Sequence, residues 1–172
     1  MTAGSYGVGE GFEGDGPEAA HINLLVGDRA GPLGAAFATA LASPSAGHTP
    51  FLVVARPGLA LQPPTLFVNK APIAGDDHAR LTWGPAQTGV AAGIIDALEE
   101  GSIDPTAAGS LVVIAAVWVD PTAVVATTVH ENNRRATRDA ARRAAAGDPP
   151  VGDVLGAAGD VRNPFFTPPP GA

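Results

Sequence analysis

Residues 8–26, VGEGFEGDGPEAAHINLLV, read as two β-strands joined by a turn. Apolar Val8 and Phe12 alternate around Glu10 in the first strand, Gly14-Asp15-Gly16-Pro17 supplies turn residues, and Ala19 to Val26 forms the second strand. Successive side chains of a strand point to opposite faces. His21 and Asn23 therefore share one face, and Ile22 and Leu24 the other.

Beyond Gly27-Asp28, Pro32 sits near the start of a short helix whose apolar stripe is Leu33, Phe37, Ala40 and Leu41. FLVVA (51–55) and TLFVNK (65–70) read as the next strands, separated by the Pro-rich loop RPGLALQPP. Gly84-Pro85 is expected to open a helix in which Val90, Ile94, Ile95 and Leu98 recur at helical spacing, ending at Glu99-Glu100-Gly101. The run LVVIAAVWV (111–119) is β-prone with almost no polar interruption, the pattern of a central buried strand. A last helix is expected over 129–146, with Arg142 and Arg143 complementing its C-terminal dipole and Gly147 as the stop. This order of elements implies α/β or α+β with one sheet. The length of 172 residues suits one domain, with flexible ends at about 1–6 and 167–172.

Composition excludes several classes. A formal net charge of −7 opposes binding to phosphate backbones, so no nucleic acid partner is expected. The longest strongly apolar run, Leu111 to Val119, falls far short of the roughly 20 residues of a helical membrane span. MTAGSYGVGEGFEG has neither the basic start nor the apolar stretch of a secretory signal, and the sequence contains no cysteine. The expected location is cytoplasmic. Disulfides, thiolate chemistry and Cys-ligated metals are excluded.

Two apparent motifs fail on context. Gly9, Gly11 and Gly14 match G-x-G-x-x-G, but no strand precedes them and no helix follows, and Glu10, Glu13 and Asp15 would repel a pyrophosphate. Turn-forming glycine is the expected reading, and no nicotinamide cofactor. His130-Glu131 begins H-E-x-x-H, but Arg134 replaces the second histidine, and His48, His78 and His130 lack metal-ligand spacing. No metal is expected. The stretch NNRRATRDAARRAAAG holds five of the ten basic residues, with Arg134, Arg138 and Arg142 on one face; a solvated or subunit-facing stripe is the expected role.

VGEGFEGDGPEAAHINLLVGD resembles the opening of the formaldehyde-activating enzyme family, a VGEALVGDGNEVAHIDL-type pattern. GHTPFLVVA (47–55), PPTLFVNK (63–70) and WGPAQTGVAAGI (83–94) resemble the blocks that follow, and ATRDAARRAAAGDPP with Asn163-Pro164-Phe165 resembles the C-terminal part. The similarity runs in order from about Val8 to Phe165.

The resemblance implies an α+β fold, a single-domain two-layer α/β sandwich like domain 2 of ribosomal protein S5. It also implies a homopentamer with sites between subunits. The reaction implied is condensation of formaldehyde with a reduced pterin, tetrahydromethanopterin, to the methylene derivative plus water. That is a hydro-lyase of one-carbon metabolism and formaldehyde detoxification, with the pterin as a substrate. His21 takes the position of the general acid. The chemistry suits one histidine, because hydroxide leaves a hydroxymethyl amine poorly unless protonated, and imidazole titrates at about 6.5. Pterin-contacting positions fall on Asn23, Leu52, Lys70, Pro72 and Gln87. Two of these depart from the family pattern: Asn23 stands for an aspartate, and Pro72 for a threonine. Asn132-Asn133-Arg134 replaces Tyr-Asn-Tyr, and Trp83 replaces a phenylalanine, with core packing its expected role. These departures define the alternatives: a non-catalytic pterin-binding or formaldehyde-sensing paralogue, or the same chemistry on tetrahydrofolate.

Overall fold

Alternate glycines let a long helix lie directly on an edge strand, and that contact organises the fold. The computed structural model describes residues 6–147 and 149–169. Strand β1 (Tyr6–Glu13) carries Gly7, Gly9 and Gly11 on one face, and helix α4 (Ala126–Ala146) lays Ala144, Ala140 and Ala136 against them. A Cβ on any of the three glycines would stand 1.8–2.0 Å from a carbonyl oxygen of the helix. Two strand residues advance about 6.6–6.8 Å and four helix residues about 6 Å. The glycine and alanine series therefore stay in step while helix and strand run antiparallel. This corrects the reading of Gly9 and Gly11 as turn glycines. Only Gly14, with φ 79°, is one.

The main sheet has the order β1, β2 (Ala20–Asp28), β7 (Leu111–Trp118), β6 (Thr65–Asn69), β3 (Phe51–Leu52). Strand β2 is antiparallel to β1 and to β7. Strand β6 runs parallel to β7, and short β3 closes the far edge antiparallel to β6. The apolar run 111–119 thus forms the central strand, as its pattern requires. FLVVA does not stay one strand. After Val53, which hydrogen-bonds with Thr65 and Leu61, the chain leaves the sheet and forms a small ribbon of β4 (Val54–Arg56) and β5 (Leu59–Ala60).

Helices α3 (Gln87–Glu99) and α4 cover one face of the sheet. Ile22, Leu24, Phe67, Val113, Ala115 and Val117 point into this layer and meet Val90, Ile94, Ala136 and Ala140 in the core. Gly89 and Gly93, one turn apart on α3, allow its close contact with α4, since a Cβ at either would stand 2.4–2.5 Å from a carbonyl of that helix. Ile95, grouped by periodicity with the core residues, lies at the exposed side. Helix α1 (Pro32–Ala42) packs against β2 and β7, burying Leu33. The result is an α+β fold with one main sheet and flanking helices.

Two further boundaries differ from expectation. The helix holding Gln87 does not begin at Gly84-Pro85. It continues from α2 (Asp76–Leu81) through a π-helical turn at Thr82–Ala86, which accommodates Pro85 inside the helix. No free helix N-terminus exists at Gln87, and Trp83 emerges exposed from the turn instead of entering the core. The ends expected to be flexible lie mostly outside the described residues; of the first, Tyr6 belongs to β1. Ahead of the second, beyond the short helix α5 (Val151–Gly156), Asn163 and Phe166 form a β-bridge.

Arg134, Arg138 and Arg142 are ion-paired within the chain. Arg134 holds Asp96 of α3 bidentately at 2.7 and 2.9 Å, Arg138 approaches Glu100 and Asp139, and Arg142 approaches Asp139. Among the described residues, no helix is long and apolar enough to cross a membrane.

Candidate functional site

The second face of the sheet gathers polar side chains that strand alternation sends away from the core. His21 and Asn23 both point to this face, because Ile22 and Leu24 are fully buried on the other. Glu10 sits opposite Asn23 in the β1–β2 pairing and reaches diagonally to His21, with Oε1 3.3 Å from Nε2. Lys70 follows the last residue of β6, and its backbone N–H donates to Val117 of β7. From there its Nζ crosses β7 and donates to the Asn23 side-chain oxygen at 2.7 Å. Asn23 is paired with Ala116, whose methyl leaves room for the crossing lysine.

His21, Asn23 and Lys70 are thus brought together, with Glu10 as a fourth member that sequence reasoning missed. Its signal was available: the alternation that joins Val8 and Phe12 also puts Glu10 on their face, but only the hairpin register brings it beside His21. Burial first, then the Lys70 ammonium, push His21 below its ordinary 6.5, and the Glu10 carboxylate opposes them. Burial pushes Lys70 down to about 8, again against the pull of Glu10. At neutral pH the imidazole is largely neutral, and an appreciable part of the lysine is free amine.

The surroundings are aromatic on one side. Phe12, the strand partner of His21, lies edge-on to it at 6.2 Å, and Phe165 approaches both rings, at 5.7 Å from Phe12 and 6.5 Å from His21. The C-terminal segment therefore forms one wall of a cleft of about 510 Å³, with Glu10, Phe12, His21, Arg143, Arg162 and Phe165 among its lining. Arg143 reaches round the β1 edge from α4 to the Glu10 carbonyl. Arg162 pairs with Asp160 at 3.2 Å.

Of the other expected contact positions, Gln87 lies apart within this chain. Leu52 shares the second face through its pairing with Leu66 and is exposed. Pro72 is exposed beside Gly47, in the loop after Lys70. Gln87 is buried on the α3 side, where its amide donates to the Val54 carbonyl at 2.9 Å, so its side chain ties α3 to the small ribbon. The remaining histidines have local partners. His78 accepts from the Ala74 N–H and bonds the Val119 carbonyl, His48 bonds the Asn69 carbonyl, and His130 bonds Thr88.

Fold and site define a class: a one-sheet α+β protein that sets an imidazole, an amine, an amide and a carboxylate together on the sheet face opposite its two main helices. The model of the formaldehyde-activating enzyme (Fae) family matches residues 8–166. The chain is 45% identical over 148 residues to the bifunctional enzyme Fae/Hps of Methanococcoides burtonii, covering 86% of this chain and 37% of that protein. It is 46% identical over 148 residues to the bifunctional enzyme Fae/Hps of Methanothrix thermoacetophila, covering 86% of this chain and 38% of that one. For the protein of the same name in Archaeoglobus fulgidus the identity is 42% over 150 residues, covering 87% and 38%. The chain belongs to the formaldehyde-activating enzyme family. It spans somewhat more than a third of the length of these curated relatives.

Proposed function

We propose that this protein condenses formaldehyde with a reduced pterin of the tetrahydromethanopterin type, giving the methylene derivative and water. The observation that carries the reading is the placement of His21 beside the Lys70–Asn23 pair on the second sheet face, in a chain of this family. The pterin, as substrate, supplies two nitrogens that the formaldehyde carbon comes to bridge. His21, in its imidazolium form, protonates the hydroxyl that leaves as water. A group pushed below 6.5 is a stronger acid that is less often charged near neutrality, and Glu10 at 3.3 Å favours the charged form when it arises.

Asn23 presents its oxygen to Lys70 and leaves its amide N–H donors for the substrate. Leu52 offers an apolar contact on the same face. Gln87 is turned to Val54 on the α3 side, and exposed Tyr6, Val8 and Leu52 are large apolar side chains left uncovered. Both features support a homopentamer in which neighbouring copies complete each pterin site. The reaction is a hydro-lyase reaction of the cytoplasm, with no metal and no nicotinamide in its chemistry.

A stopped-flow condensation assay tests the reading. Formaldehyde loss is expected to accelerate only with the right pterin, and His21→Ala to remove the acceleration. Rates equal to the uncatalysed condensation for tetrahydromethanopterin and tetrahydrofolate alike would overturn it. Pterin affinity without turnover, unaltered by His21→Ala, would mark a binding protein instead.

A further inference from the structure

We infer that Lys70 is the nucleophile that first captures formaldehyde, holding its carbon as a methylene iminium before transfer to the acceptor. The inference deepens the proposed reaction and rests on it.

Three observations point to this role. Lys70 is the only lysine of the sequence, against nine arginines, and cysteine is absent. Formaldehyde reacts readily with thiols and free amines and far less readily with guanidinium groups, which stay protonated. A sequence with almost no aldehyde-reactive side chains keeps a single primary amine of that kind, and places it at the site. Second, the lysine is held by an amide. Asn23 fixes the position of Nζ through its neutral oxygen, whereas a carboxylate there would favour the ammonium. The amine is also half-buried, and it is pushed down to about 8, so its lone pair is available in part at neutral pH. Third, an acid stands nearby: His21 lies on the same face, close enough for the Lys70 charge to depress its titration.

The step balances without any oxidant or reductant. The Lys70 amine adds to the carbonyl carbon, and one of its protons passes to the oxygen, giving a carbinolamine on Nζ. The His21 imidazolium gives its proton to that hydroxyl. Water departs with the C–O electron pair, and the Nζ lone pair forms the C=N bond. One acceptor nitrogen then bonds to the methylene carbon as the π pair returns to Nζ, and its proton restores the His21 imidazolium. The second acceptor nitrogen displaces Nζ, which leaves with the bonding pair and takes up that nitrogen's proton. The net change is a methylene bridge and one water, with Lys70 and His21 as they began.

The test uses the whole chain, limiting formaldehyde and cyanoborohydride near neutral pH, read by peptide mass spectrometry. Cyanoborohydride turns the iminium into a methylated lysine. The chain's α-amine is an internal control, because α-amines ordinarily titrate near 8. Lys70 is expected to be labelled at least about tenfold faster than the α-amine, a modest share of what a placed acid contributes. Lys70→Arg, which keeps the charge, is expected to retain pterin affinity and lose pterin-dependent condensation. Equal or slower labelling of Lys70 would overturn the inference, as would condensation by Lys70→Arg within twofold of the parent. Failure of the proposed reaction reads differently: the parent protein would then show no pterin-dependent acceleration, while the labelling ratio would still decide whether Lys70 captures formaldehyde.

Discussion

Lys70 and Asn23, 47 positions apart in the sequence, are joined by a 2.7 Å hydrogen bond that passes over the central strand between them. The bond links β2 to the end of β6 across the polar face of the sheet. It makes Asn23 a setting for the lysine rather than an isolated neighbour of His21.

Replacing Asn23 by aspartate should therefore act first on Lys70. A carboxylate at hydrogen-bond distance is expected to raise the lysine from about 8 by about 1–3 units. It should raise His21 as well. Because the sequence has one lysine, its side-chain NMR resonances can be followed in a pH titration without overlap. An unchanged Lys70 titration in Asn23→Asp would show that the bond does not govern the amine.

The pH dependence of condensation follows from the two directions of shift. His21 acts when protonated, a form lost as pH rises through a value below 6.5, and Lys70 acts as free amine, a form gained as pH rises through about 8. Between the two values these changes cancel. The rate should form a plateau, falling about tenfold per pH unit on either side. Glu10 from β1 acts on both groups, and Arg143 from α4 and Arg162 from the C-terminal segment line the cleft on the His21 side. A profile that falls steadily from the acid side with no plateau would assign the acid role to His21 and no free-amine role to Lys70. His21→Ala should lower the rate by about 10²–10⁴-fold on the acid side, where the imidazolium is populated, and by progressively less as pH rises and that form is lost.

Gly9→Ala and Gly11→Ala should each destabilise the fold by about 1–3 kcal/mol, the usual range for forcing extra volume into a packed contact. The new Cβ would stand 1.9 or 2.0 Å from a carbonyl oxygen of α4, and backbone cannot swing aside as a side chain does. Gly84→Ala is the control: its Cβ would meet nothing within 4 Å. Urea denaturation of the three variants should show losses for the first two alone.

Asp96→Ala should cost about 1 kcal/mol, because the half-exposed Arg134 keeps the pair screened although it grips the mostly covered carboxylate bidentately. The hydrogen bond from Arg134 lowers the Asp96 pKa in the folded protein. Its contribution is therefore complete above the unfolded value, about 3.9, and is lost as pH falls through the lower folded value. Denaturation of parent and variant should differ at neutral pH and converge in strong acid.

Strands β1, β2, β6 and β7, the bodies of helices α1, α3 and α4, the central place of 111–118 and the shared face of His21 and Asn23 were legible in the sequence, because each rests on local periodicity or composition, whereas the short helices α2 and α5 were not. The break of FLVVA at Val53 was not, since a run of β-prone residues carries no mark of where the chain leaves its partner strand. Nor was the π-helical turn at Thr82–Ala86. Proline after glycine normally opens a helix, and here the α2 residues upstream continue into it. The glycines of β1 were misread for a related reason: spacing shows that side chains are missing, but not which backbone fills the space.

The sequence by itself determined the family, the alternation that frees His21 and Asn23 from the core, and the solitary lysine. Tertiary structure alone decided that Glu10 meets His21, that Lys70 crosses the sheet to Asn23, and that Gln87 turns to Val54. The physical reason is range. Periodicity and composition act over a few residues, whereas strand register and helix packing fix which distant side chains share a face, and the titration of His21 and Lys70 depends on that company.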